Sequence, residues 1–178
     1  MNELNDFLAQ FNTSIPLDES KIVRNRNRYY LLSKKLKQQA PKGFFYAGAY
    51  LGSVKGTGFF PSFLLLGMIT KTKANKLIVD KKTAWLFICG RDIFKKGIVN
   101  DANLKKGEYV LIMNKNNECL GFGKMMITLR AEIDLNKVAV KNILDLGDFL
   151  RREKPQPRNQ QRSGRLQSNS KSGYRARK

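Results

Sequence analysis

The chain has 178 residues, of which 34 are Lys or Arg, 14 are Asp or Glu and none is His, giving a formal net charge of +20 at pH 7. A chain this basic meets a polyanion, and nucleic acid is the first reading ahead of an anionic membrane surface: the sequence offers no basic amphipathic helix with a wide apolar face and no long apolar span. Without histidine, a Cys/His zinc site and the Ser–His and Cys–His nucleophile pairs are excluded, which removes most common hydrolase mechanisms.

The length suits one or two small domains, and a hydrophobic content of 42% is enough for a core in each. In chain order, Leu4, Phe7, Leu8 and Phe11 recur at helical spacing and place one apolar stripe on a short N-terminal helix, read as core packing. Lys21 to Arg24 and Arg28 to Leu32 are expected to pair as strands around the polar turn Asn25-Arg26-Asn27. Ser33 caps a predicted helix from Lys34 to Gln39, which Pro41 ends. Gly43 to Ala49, Leu51 to Lys55 and Ser62 to Thr70 read as further strands, the last an almost continuous apolar run suited to the middle of a sheet. Phe59 and Phe60 fall in a glycine- and proline-bounded loop and are candidates for a protein-docking patch. The other aromatics, Phe44, Phe45, Tyr46 and Phe63, read as core.

The polar stretch Lys71-Thr72-Lys73-Ala74-Asn75 is the best domain boundary. Beyond it, Leu77 to Val79 opens a second unit, and Thr83 to Cys89 is a short helix expected to carry Trp85, Leu86 and Ile88 into the core. Gly90 and Gly97 bracket a loop in which Arg91, Lys95 and Lys96 project while Ile93 and Phe94 anchor; glycine suits a positive φ or a close backbone approach at these points. Glu108 to Met113 and Glu118 to Thr128 form a predicted hairpin around Asn114–Asn117, Val138 to Ile143 closes the sheet, and Asp145 to Leu150 adds a last helical turn. Cys89 and Cys119 each sit in an apolar stretch and are expected to be buried, reduced thiols. No secretory signal is read at the N-terminus.

Several motifs are rejected. Gly121-Phe122-Gly123-Lys124 has Met125 where a phosphate loop needs Ser or Thr, and Gly56-Thr57-Gly58 lacks the third glycine and the helix of a dinucleotide site. Asp80, Asp92, Asp101 and Asp145 are scattered and form no paired-carboxylate site. The reading is therefore non-enzymatic, with no cofactor and no metal.

The run Lys76-Leu77-Ile78-Val79-Asp80, the stretch Thr83 to Ile98 and the step Leu120-Gly121-Phe122-Gly123 together resemble a PUA domain, a small β-barrel RNA-binding module. Arg28-Tyr29-Tyr30-Leu31-Leu32-Ser33 before a helix, Ala49-Tyr50-Leu51-Gly52 before the basic loop Lys55–Gly58, and the close Asp145-Leu146-Gly147-Asp148-Phe149-Leu150-Arg151-Arg152 narrow this. Over residues 24–153 the chain resembles the archaeal branch of the Nip-seven family of large ribosomal subunit assembly factors. The resemblance implies an α+β protein: an N-terminal α/β domain with an antiparallel sheet at 1–73, a PUA-type β-barrel at 74–153, and a tail at 154–178. It implies RNA received in a groove beside the 90–97 loop and the final strand, making Arg91, Lys95, Lys96, Arg151, Arg152 and Lys154 the expected RNA-binding residues. The expected partners are large-subunit pre-rRNA and ribosome assembly proteins, with no membrane and a monomer when free, in the cytoplasm of an archaeal-like cell or the nucleolus of a eukaryote.

The tail departs from the family in being longer and more basic. From Arg151 to Lys178 it holds ten basic residues and one acidic, a charge of +9, in a Gln/Asn/Ser/Gly/Arg composition expected to be disordered when free. Two further function classes stand beside the assembly factor: an RNA-targeting subunit or component of a pseudouridine- or transglycosylase-type modification system, and a permanent structural component of the ribosome.

Overall fold

The computed structural model describes residues 2–153 apart from 16, 42, 45, 57 and 101. The expected tail, Lys154 included, lies outside the described residues. Helix α1 (Asn2–Ala9) buries Leu4, Phe7 and Leu8, with Phe11 just beyond its end, so the N-terminal stripe is core as its spacing predicts. Strands β1 (Ile22–Asn25) and β2 (Arg28–Leu31) pair antiparallel through a turn in which Arg26 takes φ 53°. Helix α2 (Lys34–Gln39) starts at Ser33, whose Oγ accepts the Leu36 N–H at 3.2 Å. Strands β3 (Ala49–Lys55) and β4 (Gly58–Pro61) complete a four-stranded antiparallel sheet in the order β1-β2-β3-β4.

Two expectations fail in this half. The apolar run Ser62 to Thr70 is not a strand: Phe63–Ile69 forms helix α3, with Ser62 Oγ accepting the Leu65 N–H at 3.1 Å. Its Phe-Leu-Leu-Leu-Gly-Met sequence has no β-branched residue before Ile69, so capping and leucine propensity outweigh the run's resemblance to a buried strand. Leu65, Leu66 and Ile69 then share the buried face. Gly43 to Ala49 is also no strand: among its described residues only Ala49 joins one.

The second sheet holds β5 (Lys76–Ile78), β6 (Ile93–Phe94), β7 (Tyr109–Met113), β8 (Cys119–Met125) and β9 (Val138–Asp145) in the order β5-β7-β8-β9-β6. β5 pairs with β7 in parallel and the remaining pairs are antiparallel, curling the sheet into a half-barrel. The β7–β8 hairpin turns at Asn114–Asn117 as expected, with Asn117 at φ 61°. Helix α4 (Lys81–Ile88) follows β5, capped by Asp80 on the Thr83 N–H at 2.7 Å, and α5 (Leu146–Glu153) follows β9. That N–H holds the Asp80 carboxyl below the usual carboxylate range.

Strand β7 is buried on both sides. Leu111 and Met113 face one core with Leu51, Leu65, Leu66 and the α1 residues, while Val110 and Ile112 face a second with Leu77, Phe87, Ile93 and Val140. Helix α1 pins the two sheets together: the Phe7 and Phe11 rings both lie 5.6 Å from Phe122, and the Tyr109 N–H reaches Gln10 O at 3.3 Å. The core of the first sheet is thus completed by Leu111, Phe122 and Leu144 from the second.

The cysteines are both free thiols, but Cys89 is exposed, not buried, because it caps the outer end of α4. Cys119 is half-buried, and that burial pushes its thiol pKa up.

Candidate nucleic-acid interface

The glycine-bounded loop is built as the two glycines predict. Gly90 turns at φ 87°, and a Cβ on Gly97 would sit 2.1 Å from Thr83 Oγ1, so only glycine lets the loop close against α4. Ile93 anchors the loop fully buried, whereas Phe94, expected as a second anchor, is 45% exposed. β6 has only two residues and one buried face, which Ile93 takes.

The basic residues separate into two groups. At one end, Arg91 meets the end of β9. Asn142 Nδ2 donates to Phe87 O at 2.9 Å and Arg91 O at 3.5 Å, and its backbone N–H donates to Asp92 Oδ1 at 2.8 Å. The same Asn142 amide reaches Asp145 Oδ2 at 3.1 Å. Arg151 then clamps this corner: its guanidinium donates to both Asp145 oxygens at 3.1 Å and to Ile88 O at 2.9 Å, tying α5 to the end of α4. Arg151 was expected to offer its fork to RNA; the fork is already spent on a carboxylate that is only 4% exposed. Arg152 falls on α5.

At the other end, Lys95 and Lys96 pack against the 129–137 segment. Lys95 Nζ donates to Glu132 O, and the Lys95 and Lys96 N–H groups donate to Lys137 O and Leu135 O, each at 2.9 Å. Lys96 Nζ reaches Asn136 Oδ1 at 2.9 Å and lies 5.9 Å from the Phe94 ring centroid. Lys137, 3.0 Å from Glu132, holds that carboxyl below the usual range, so one of the two acidic groups of this segment is paired, while Asp134 Oδ1 accepts the Asn136 N–H at 2.8 Å. Lys95, Lys96, Asn100 and Arg130 line an open cleft of about 460 Å³ here. No His/Cys/Asp/Glu cluster able to hold a metal occurs among the described residues, nor any helix long and apolar enough to cross a membrane.

The Arg151 clamp makes a prediction of its own. Arg151→Ala leaves buried Asp145 with only the Asn142 amide and the Asp148 N–H as donors, and should cost about 1–3 kcal/mol of stability. Arg151→Lys should recover little of it, since one ammonium does not bridge Asp145 and Ile88 O together. Urea midpoints measure this, and an unchanged midpoint in Arg151→Ala would contradict a structural role.

The second sheet is a five-stranded half-barrel with a short helix after β5 and another after β9. Residues 75–154 match the UPF0113 PUA domain family. This part of the chain is a PUA domain. A UPF0113 protein of Archaeoglobus fulgidus is 29% identical over 111 residues, covering 61% of this chain and 63% of that relative. The chain thus spans less than two thirds of the relative it matches. In fold it is similar to a conserved PUA domain protein from Thermoplasma acidophilum, with a TM-score of 0.53 at 17% identity over 86% of this chain and 95% of that one. A hypothetical protein from Pyrococcus horikoshii gives a TM-score of 0.50 at 15% identity, over 81% of this chain and 90% of that one.

The PUA domain exposes residues that sequence reasoning placed elsewhere or passed over. Trp85 is 67% exposed and Leu86 41%, where both were expected in the core: α4 packs on one side only, and Ala84 and Phe87 take that side. Lys81 and Lys82 share the exposed face with Trp85 at helical spacing. Lys124 and Lys141 stand directly opposite each other in the β8–β9 register, both exposed. Two like charges so placed repel unless an anion bridges them. The alternation of Lys141 with buried Val140 would have revealed one of the pair; the other needed the register.

Phe59 and Phe60 are not in a loop but on β4. Phe59 packs inward, its ring 5.2 Å from Phe7 and 5.7 Å from Tyr29, and only Phe60 stays exposed, with Lys55 Nζ 5.1 Å from its ring.

Proposed function

We propose that the protein is a non-catalytic RNA-binding factor of large ribosomal subunit biogenesis, whose PUA domain and basic tail hold pre-rRNA. The observation that carries the RNA reading is the PUA domain at residues 75–154 in a chain of net charge +20. Exposed cationic groups on this domain support it: Arg91 beside β9, Lys96 at the 129–137 cleft, and the Lys124–Lys141 pair across β8 and β9. The assembly role is supported by the Arg28–Ser33, Ala49–Gly52 and Asp145–Arg152 stretches, which resemble the Nip-seven family. Binding energy alone would then hold an RNA junction in its productive shape. The tail at 154–178, with eight basic residues and no acidic one, would add sequence-independent affinity, and assembly proteins would be further partners.

Sucrose-gradient sedimentation of the tagged protein from growing cells tests this reading. The expected result is co-migration with precursors of the large subunit and absence from mature ribosomes. Stoichiometric presence on mature subunits, or free migration with transfer RNA, would contradict it.

A further inference from the structure

The outer face of the first sheet carries a second concentration of cationic and aromatic groups, far in sequence from the PUA domain. Between Glu19 and Asp80 the chain has no acidic residue at all, while it places twelve Lys or Arg there. Arg24 and Lys21 meet carboxylates from outside the segment, Glu3 at 2.9 Å and Asp18 at 3.2 Å, and the segment keeps a positive excess.

The fold places the basic residues of the 26–37 stretch on the side of the sheet that carries Tyr30. Residues of β1 and β2 alternate: Tyr29 faces the core shared with the second sheet, and Tyr30 faces the opposite side, in register with Val23. Arg28 and Asn25, also paired, share the side of Tyr30. The chain after α2 folds back over this face, with the Asn25 amide donating to Phe44 O. Phe44 and Tyr46 both stand edge-on to the Tyr30 ring, at 5.3 and 5.5 Å, and Tyr46 remains 62% exposed. Two adjoining clefts of about 170 and 300 Å³ meet at Asn25, Gly43 and Phe44; Arg26 and Arg28 line the first, and Lys37, whose Nζ donates to Ser20 O at 2.7 Å, lines the second, where Arg24 is paired with Glu3. Arg26 sits at the turn tip, exposed, and its side chain meets no carboxylate among the described residues. Helix α2 buries none of its six residues and holds Lys34, Lys35 and Lys37 outward alongside.

We infer that this face is a second RNA-binding surface, one that takes a single strand, with the Tyr46 ring stacking a base and Arg26 holding an adjacent phosphate. A face that carries an exposed aromatic, Arg26 and Arg28, and two open clefts with no acidic lining residue, fits unpaired nucleotides; a duplex would present no base face to stack. The surface lies on the side of the first sheet turned away from the shared core, so an RNA bound there and at the PUA domain is held at two points. Each contact then raises the effective concentration for the other. The inference rests on the RNA reading proposed above but on none of the residues that carry it.

Titration of the full chain with a fluorescent single-stranded oligouridine of about 12 nucleotides, and ultraviolet cross-linking of the same probe with peptide mapping, tests it. Tyr46→Leu keeps an apolar cover on Tyr30 while removing the stacking ring. Combined with Arg26→Ala it should weaken binding about 10-fold and lower the log–log salt slope by about 0.7. Tyr46→Phe should bind as the natural chain does, and cross-links should include the Tyr46 peptide. Unchanged affinity and slope in the double variant, or cross-links confined to residues 75–154, would overturn the second surface and leave the PUA reading intact. A full chain that binds no probe at all would overturn both.

Discussion

Gly121→Val should unfold much of the second sheet, at a cost of about 3–5 kcal/mol and a fall in Tm of roughly 10 °C or more. Gly121 lies inside β8 at φ 143°, and a Cβ there would sit 2.0 Å from Leu144 O and 2.8 Å from Asp145 Cα. Those atoms are backbone of β9 and have no side-chain freedom with which to yield. Moving them apart unseats Leu144 from the shared core, and displaces Asp145 from the Arg151 clamp at the same time. Gly67 supplies the contrast. It lies in α3 with open space around its Cα, so Gly67→Ala should gain stability, by about 0.5–1 kcal/mol. Circular-dichroism melts of both variants decide the matter. A Gly121→Val protein melting within about 1 kcal/mol of the natural chain would mean that the β8–β9 approach is not as tight as described.

The second large effect concerns RNA. Arg91→Glu, Lys96→Glu and Lys141→Glu together should weaken binding about 100-fold at moderate salt and flatten the log–log salt slope by about 2. The three are chosen because their charges are presented outward. Lys95 is left alone, since its ammonium is committed to Glu132 O, and Arg151 because it holds Asp145. Stability should hold or rise slightly, because glutamate at 141 faces Lys124 and replaces a repulsion with an attraction. Filter binding across a salt series measures the slope. An affinity and slope like those of the natural chain would take this face out of the RNA contact.

What was legible in the sequence was local. The Asn25–Asn27 turn, the Ser33 cap and the Asn114–Asn117 hairpin each depend on a few neighbouring residues whose chemistry permits little else, and each forms as those residues predict. Ser62 to Thr70 was misread because nine residues of nearly unbroken apolar character hold no usable period; the cap at Ser62 was the deciding signal and was outweighed by hydrophobicity. Trp85 was misplaced for a related reason. A short helix with one packed side leaves even a tryptophan outside when Ala84 and Phe87 own that side. The site divides the same way. Gly90 and Gly97 announce their loop through backbone chemistry, but the capture of Arg151 by Asp145 and Ile88, and of Lys95 by Glu132, depends on elements that meet only after folding. Charge type marked these residues as candidates; their partners decide which of them remain available.

The measurement that most directly tests RNA binding through the PUA domain is in-cell cross-linking of the tagged protein, with nucleotide-level mapping. It is run on the full chain, on a version ending at Glu153, and on the Arg91/Lys96/Lys141 reversal. Cross-links gathered on one region of large-subunit ribosomal RNA, weakened without the tail and lost in the reversal, are the predicted result. Cross-links scattered over transfer RNA and unrelated transcripts, or unaffected by the reversal, would contradict it.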